Sequence, residues 1–422
     1  MNMSVQRELT AVEAEIINNF NQRIDSLPGN KAVLATRKRA VELLRKKKAP
    51  SRKIENWHYT DLRTLLKSVS DFSEVKNRKS LDPLLPENVT FSIENGEILL
   101  QSKLKNIAFK SFADALKEDD AKINQVLVDE DFIGQLNTAF VTDGWVFKIP
   151  ENTKLDNPIE LQNIQMGGQS HIFSDIEIGK NSQITVIERQ IGNDESTFAS
   201  SVFSLRIAEY SDVTWILIRD RGVNSTQFGK FRAVLGNNAK LSLYVLNIGS
   251  QLNRQEVDIE LQERESNFHL RAINLLSGQT HSDLTMTVRH IEEKSTSTEI
   301  VRNVVTGKAR GVFQGMIRVA KEAQKTDARM ACNSLVLSDN SEFDAKPELE
   351  IFADDVVCAH GATVSKVDRD HIFYLMARGI PFKIARELLI KGFVSELVDS
   401  IERDHIKAIL NNFIAQWLDK NI

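Results

Sequence analysis

Cysteine is nearly absent from this chain, whose 422 residues hold only Cys332 and Cys358. So sparse a supply of thiols excludes a disulfide framework, leaves one bridge compatible with the count, and fits a reducing, cytoplasmic setting. An excess of charge of one sign is missing too. With 54 basic against 58 acidic residues, no global field draws the chain to nucleic acid or to a membrane surface. No run of about 18 apolar residues occurs, so no spanning helix is expected. Met1 to Glu15 carries Glu8, Glu13 and Glu15 and lacks the apolar stretch of a secretory leader. The Gly-x-x-x-x-Gly-Lys-Ser/Thr of a nucleotide-binding loop is also missing, so no nucleotide is expected on this chain. His290-Ile291-Glu292-Glu293-Lys294 has lysine where a zinc protease places its second histidine, and Gly168-Gln169-Ser170-His171-Ile172 lacks the second glycine of a nucleophile elbow. His58, His269, His281, His371 and His405 show no ligand spacing and read as structural or exposed. The chain is therefore expected not to be an enzyme by itself.

What is present changes character along the chain. Val12, Ile16, Phe20 and Ile24 line one side of a helix that Pro28-Gly29 ends, and a second helix is expected from about Lys31 to Lys48. Its Arg37-Lys38-Arg39 and Arg45-Lys46-Lys47-Lys48 runs read as a solvated face. From Val89 the period becomes two. Val89, Phe91 and Ile93 alternate with polar residues, Asn95-Gly96 suits a type I′ turn, and Ile98 and Leu100 resume the alternation. A short helix is expected from about Ser111 to Val126, after which strands dominate, beginning with Trp145 to Pro150 and Pro158 to Leu161.

Four later segments resemble one another, each a small or polar start followed by a strand: those beginning at Asn181, Tyr210, Asn238 and Glu265. Their strand residues Ile184, Val213, Leu241 and Phe268 are 29, 28 and 27 positions apart. So constant a period without hairpin dipeptides favours a β-helix, whose coils stack, over a two-sheet sandwich. From about Asp368 helix returns, with a stop at Arg378-Gly379-Ile380-Pro381. Ala385, Leu388, Leu389, Phe393, Leu397 and Ile401 then mark one apolar face, and a last helix carries Ile406 to Leu418 as core, cap or docking surface. The expected architecture is mainly β. A solenoid core at 161–366 follows an N-terminal helical region at 1–85 and a mixed α/β entry at 86–160, and precedes a C-terminal helical domain at 367–422.

The chemistry concentrates in Val357-Cys358-Ala359-His360-Gly361-Ala362-Thr363. On a strand, residues i and i+2 share a face about 7 Å apart, so Cys358 and His360 offer sulfur and nitrogen in one direction, a pair suited to iron or zinc. Two ligands leave a tetrahedral site half built, and the rest must come from elsewhere in the fold, from a cofactor or from a second protein. Packing of a thiol beside a hydrogen-bonded imidazole is the other reading of the same spacing.

Several separate segments resemble the SufB/SufD family of iron–sulfur cluster assembly proteins. They are Gly311-Val312-Phe313-Gln314-Gly315-Met316-Ile317, Ala323-Gln324-Lys325-Thr326-Asp327-Ala328, Lys346-Pro347-Glu348-Leu349-Glu350-Ile351, Val357 to Thr363 and Ile372 to Ile380. Arg52 to Thr60, with Trp57-His58-Tyr59, is similar to the N-terminal segment of the SufD branch, and no cysteine precedes Cys332, as that branch implies. The resemblance implies a subunit that pairs with SufB through the β-helix cores and docks the SufC ATPase on its C-terminal helices. It implies a transient iron or iron–sulfur cluster shared with SufB at Cys358 and His360. Tyr374, Arg378 and Gly379, with Phe393 nearby, are the expected partner-binding residues where solenoid and helices join. A homodimer is the alternative for the isolated chain. Cys332 has no matched role and reads as a small buried apolar residue. A β-helix enzyme acting on polysaccharide would need paired carboxylates or a calcium site, which the acidic residues do not supply.

Overall fold

A short apolar strand recurring at nearly constant spacing lets the backbone return above itself and bond to its own previous turn. In the computed structural model the described residues are 8–72, 80–102, 104, 106–119, 121–126 and 131–422. The first seven residues of the acidic N-terminal stretch lie outside them. The sheet region opens with a hairpin, β1 (Val89–Glu94) and β2 (Glu97–Gln101), whose turn residues Asn95 and Gly96 have φ of 46° and 80°. The strands β3 (Ala108–Ser111) and β4 (Trp145–Ile149) pair antiparallel.

The chain then winds through β5 (Ile159–Gln165), β6 (Gly168–Ile178), β7 (Gln183–Gly192), β8 (Thr197–Ile207), β9 (Asp212–Asp220), β10 (Ser225–Leu235), β11 (Lys240–Gly249), β12 (Leu252–Leu261), β13 (Asn267–Leu276), β14 (His281–His290), β15 (Thr296–Val305), β16 (Arg310–Val319), β17 (Asp327–Val336), β18 (Glu342–Ile351) and β19 (Val357–Ser365). Odd-numbered strands from β5 onward stack in one sheet and even-numbered ones in the other, all in parallel, as a β-solenoid of about 8 turns. Parallel pairing throughout the winding rules out the sandwich.

Register explains the repeat. Ile184, Val213, Leu241 and Phe268 are direct ladder partners, and the same column continues through Ser297 and Ala328 to Cys358. Val213, Leu241 and Phe268 are fully buried, each contributing about 1.5–3 kcal/mol by leaving water. The polar residue before each strand is a corner in the left-handed region, with φ of 53° at Asn181, 57° at Tyr210, 53° at Asn238 and 59° at Glu265. Asparagine tolerates that conformation readily; Tyr210 and Glu265 are held there by corner-to-corner bonds to Asn237 and Glu293 carbonyls. A second inward column is polar, where Asn247 donates to Asn274 at 3.3 Å and Asn274 to Asn303 at 2.8 Å.

Parallel sheets need both faces covered, and helices do this on the two flanks. On the even-strand side lie α1 (Ala11–Arg23) and α2 (Lys31–Lys47). They are followed by the short α3 (Leu62–Leu65), α4 (Phe112–Glu118), α5 (Ala121–Val126) and α6 (Phe132–Phe140), and these elements share a core with Phe173, Phe198, Val202 and Phe228. The Arg52–Thr60 segment is a strap across four coils. Trp57 lies under Arg254 of β12 at 3.8 Å, and Thr60 bonds His281 and Asp283 of β14. Gln314 of β16 donates to the Asn56 carbonyl, and Lys346 of β18 pairs with Glu55 at 2.9 Å.

Two expectations change here. Arg37 is not on a solvated face but fully buried, its guanidinium donating to the carbonyls of Pro28, Thr138, Ala139 and Val141. The stretch Ser111 to Val126 is two helices, and Asp120 between them lies outside the described residues. The buried α6, capped by Asp131, fills a stretch in which no element was read between the expected helix and the strand expected at Trp145, which β4 provides. The C-terminal helices α7 (Arg369–Ala377), α8 (Phe382–Asp399) and α9 (Asp404–Asn421) follow, and of the core, cap and docking roles open to the last of them the structure shows core. The chain turns back after β19, and α8 and α9 cover Ile187, Ile216, Ile218, Leu246, Ile273 and Leu275 on the outer face of the odd-strand sheet. Tyr244 donates to the Ser400 carbonyl across that seam.

Candidate functional site

The two ends of the solenoid differ. At one end the sheets finish in the short antiparallel strands β2 and β3; at the other, β18 and β19 are edge strands with no further coil against them. Val357 donates inward to the Thr326 carbonyl at 2.9 Å. By the alternation of a parallel ladder, Cys358, His360, Ala362 and Val364 therefore turn their N–H and C=O groups to the open side. Ile351, Phe352, Val357 and Val364 leave apolar surface exposed around this end. A bare edge of this kind is a template for another strand.

Cys358 and His360 sit on this last coil. They share the inward face, registered over Ala328 and Met330, with Cys358 half-buried against the core and His360 exposed. Burial pushes the Cys358 thiol above its ordinary value, opposed by a backbone hydrogen bond from Ala328 and reinforced by the Asp327 charge. Among the described residues no group of three or more His, Cys, Asp or Glu side chains is gathered to hold a metal. The donor set of soft sulfur and borderline nitrogen suits iron, but the number of donors fits half a site.

Cys332 lies one coil inward and fully buried; its sulfur accepts from Asn303 at 3.4 Å, and burial pushes its thiol up to about 12. The two cysteines are free thiols. Both motif histidines set aside above are buried, His290 inside the winding and His171 between the even-strand sheet and the N-terminal helical flank. His290 bonds Ser295 and Ser297, and His171 bonds Ser200 while stacking on Phe140 at 5.2 Å.

The expected partner residues fall in two places. Tyr374 and Arg378 are on the exposed α7, the guanidinium lying 4.6 Å above the ring, and Gly379 closes that helix with φ of 84°. Phe393 is instead on the solenoid side of α8, under Arg302. The apolar face read for α8 is also different. Ala385, Ile390, Val394, Leu397 and Val398 are buried, whereas Leu388 is exposed, because α8 carries two apolar stripes and the solenoid takes only one. The other joins Phe373, Tyr374 and Met376 of α7 with Phe382, Ile384 and Leu388 in an uncovered apolar surface on which Phe373 is 72% exposed. Of this surface, sequence reading singled out only Tyr374 as partner-binding; the signal for the rest was the pair of apolar positions Phe382 and Ile384 beside the helix restart.

These features define a class: a parallel two-sheet β-solenoid with helical units on its flanks and one open coil. The SufBD core domain of the SUF system for FeS cluster assembly matches residues 163–393, and the chain belongs to that SufB/SufD family. A SufBD family iron–sulfur cluster assembly protein of Synechocystis is 27% identical over 427 residues, covering 94% of this chain and 92% of its own. SufD of Escherichia coli is 26% identical over 370 residues, 85% of this chain and 86% of its own. SufD of Bacillus subtilis is 22% identical over 429 residues, 96% and 97%. The chain's role is thus in iron–sulfur cluster assembly, on the SufD side of the family. Among the described residues no helix is long and apolar enough to cross a membrane.

Proposed function

We propose that this chain is the non-ATPase, SufD-type subunit of a cytoplasmic assembly scaffold, not an enzyme alone. It pairs with SufB through the open coil and docks the SufC ATPase on the uncovered surface of α7 and α8. The observation that carries this reading is the position of Cys358 and His360 on the last coil, whose outer edge is open to continue the parallel ladder. Iron or a nascent cluster is cargo here, held between this half-site and donors from SufB. Mixed nitrogen and sulfur ligation holds such cargo less tightly than four thiolates, which suits a donor. Closure of SufC on ATP is transmitted through α8, which packs on β13 and β15, to the coils nearest the open end.

The test is co-expression with SufB and SufC, anaerobic purification, and measurement of iron, sulfide and ATPase activity. Cys358→Ala and His360→Ala are each expected to lower iron and sulfide per complex while leaving the three chains together. Unchanged iron in both variants would assign the pair to packing. Ala362→Pro tests the pairing separately, because it removes an N–H from the open side. Loss of about 1.4 kcal/mol in the shared ladder weakens association with SufB about tenfold. Equal affinity, with the circular dichroism of the wild type retained, would place the contact elsewhere.

A further inference from the structure

Toward the other end of the winding, the interior holds two cations that share one carboxylate as nearby counter-charge and touch it with neither guanidinium. Arg219 on β9 and Arg221 just after it are both fully buried, and among the described residues neither forms an ion pair with a carboxylate. Arg219 donates from Nε to Gln190 and from Nη2 to Gln227, each at 3.1 Å, and Arg221 donates from Nη1 to Gln165 at 3.4 Å. Four donors remain with no acceptor: Arg219 Nη1, Arg221 Nε and Nη2, and Gln227 Nε2.

The nearby carboxylate is Glu188, one inward position before Gln190. Its oxygens are taken by Gln190 at 2.6 Å and by the Trp215 indole at 3.1 Å, not by either guanidinium. Burial moreover pushes Glu188 up to about 7, so near neutral pH it supplies only part of one negative charge. The two arginines stay charged there, burial lowering them only to about 9 and about 10. Leaving buried charge unpaired in this way is among the most destabilising arrangements a core can hold.

We infer that Arg219, Arg221 and Gln227 enclose one small monovalent anion of the halide class inside the solenoid, bound as the chain folds. Guanidinium and amide N–H groups left without acceptors are a donor-only set, which rejects cations and suits a small spherical anion. The site is structural and distinct from the open coil, more than four coils away in register.

Thermal unfolding of the full chain in chloride, balanced with the bulky anion gluconate at constant ionic strength, tests this. The melting temperature is expected to rise by about 2 °C for each tenfold excess of chloride over its dissociation constant. Arg221→Met removes one unpaired charge, so this variant is expected to lose the chloride dependence and to melt above the wild type when chloride is absent. Arg221→Lys keeps the charge and is expected to retain part of the dependence. Bromide diffusion into crystals should place one anomalous scatterer between the two guanidinium groups. The inference is overturned if melting ignores chloride and no bromide appears there, or if Arg221→Met is less stable than the wild type at every chloride concentration.

Discussion

Glu299→Met is expected to stabilise the protein by several kcal/mol at pH 8 and by little at pH 5. Glu299 faces the solenoid interior in the column Leu270, Glu299, Met330, His360, fully buried, with no hydrogen-bond partner of good geometry for either oxygen. Burial raises its carboxyl from 4.5 to about 8, tempered by the Ser297 hydroxyl and Arg271. An acid whose folded value is raised costs nothing by ionisation below the unfolded value, where both states keep the proton. As pH climbs from 4.5 to 8 the unfolded chain releases its proton and the folded chain does not, so stability falls and then levels off. The full penalty above pH 8 is about 4–5 kcal/mol, and methionine matches the volume between Leu270 and Met330.

Chemical denaturation at half-unit steps of pH checks this. Glu188 and Asp143 also carry raised carboxyls, at about 7 and about 6, so they shape the profile at lower pH. Buried His171 and His290 are lowered to about 3, and their opposite contribution is complete by about pH 6.5. Between pH 7 and 8 the wild type should lose about 1 kcal/mol that the variant keeps. The same slope in both proteins would show that Glu299 is already ionised in the fold.

Arg37→Met should cost about 3–5 kcal/mol. Its four bonds of 2.8–3.2 Å satisfy the carbonyls at the end of α6 and the Pro28 carbonyl before α2, so one guanidinium ties the first helices to the helix on β6, β8 and β10. The positive charge also meets the negative end of α6. Lysine cannot reproduce a planar fork and is expected to recover less than half of the loss. Hydrogen exchange should show the opening confined to α1, α2 and α6, with the coils from β11 to β17 protected as before. Loss of protection throughout would mean that the flank and the winding unfold as one unit.

These two residues show what sequence could and could not reveal. The winding was legible because a solenoid repeats its corner chemistry: Asn181, Tyr210, Asn238 and Glu265 announced each turn, and their strands proved to be ladder partners. The same column reaches Cys358, which sequence had placed only by its spacing from His360. Arg37 was illegible because a basic residue in a basic run differs from its neighbours only by which side of the helix it occupies, and that side is set by α6, about a hundred residues on. Glu299 lies on a polar alternating strand, where nothing local distinguishes an inward carboxyl from an outward one. The uncovered face of α7 and α8 was hidden for a third reason. An apolar stripe reads as core until the fold shows that nothing covers it.

The unequal ends of the winding set a limit on assembly. Seen as polymer chemistry, the two ends have different polarity: β2 and β3 close one end in antiparallel order, whereas β18 and β19 leave the other in parallel order. Only a strand added beside β18 or β19 would continue the parallel winding. If the proposed pairing with SufB takes place there, the joint lies at the middle of the product, with a stack of coils on either side.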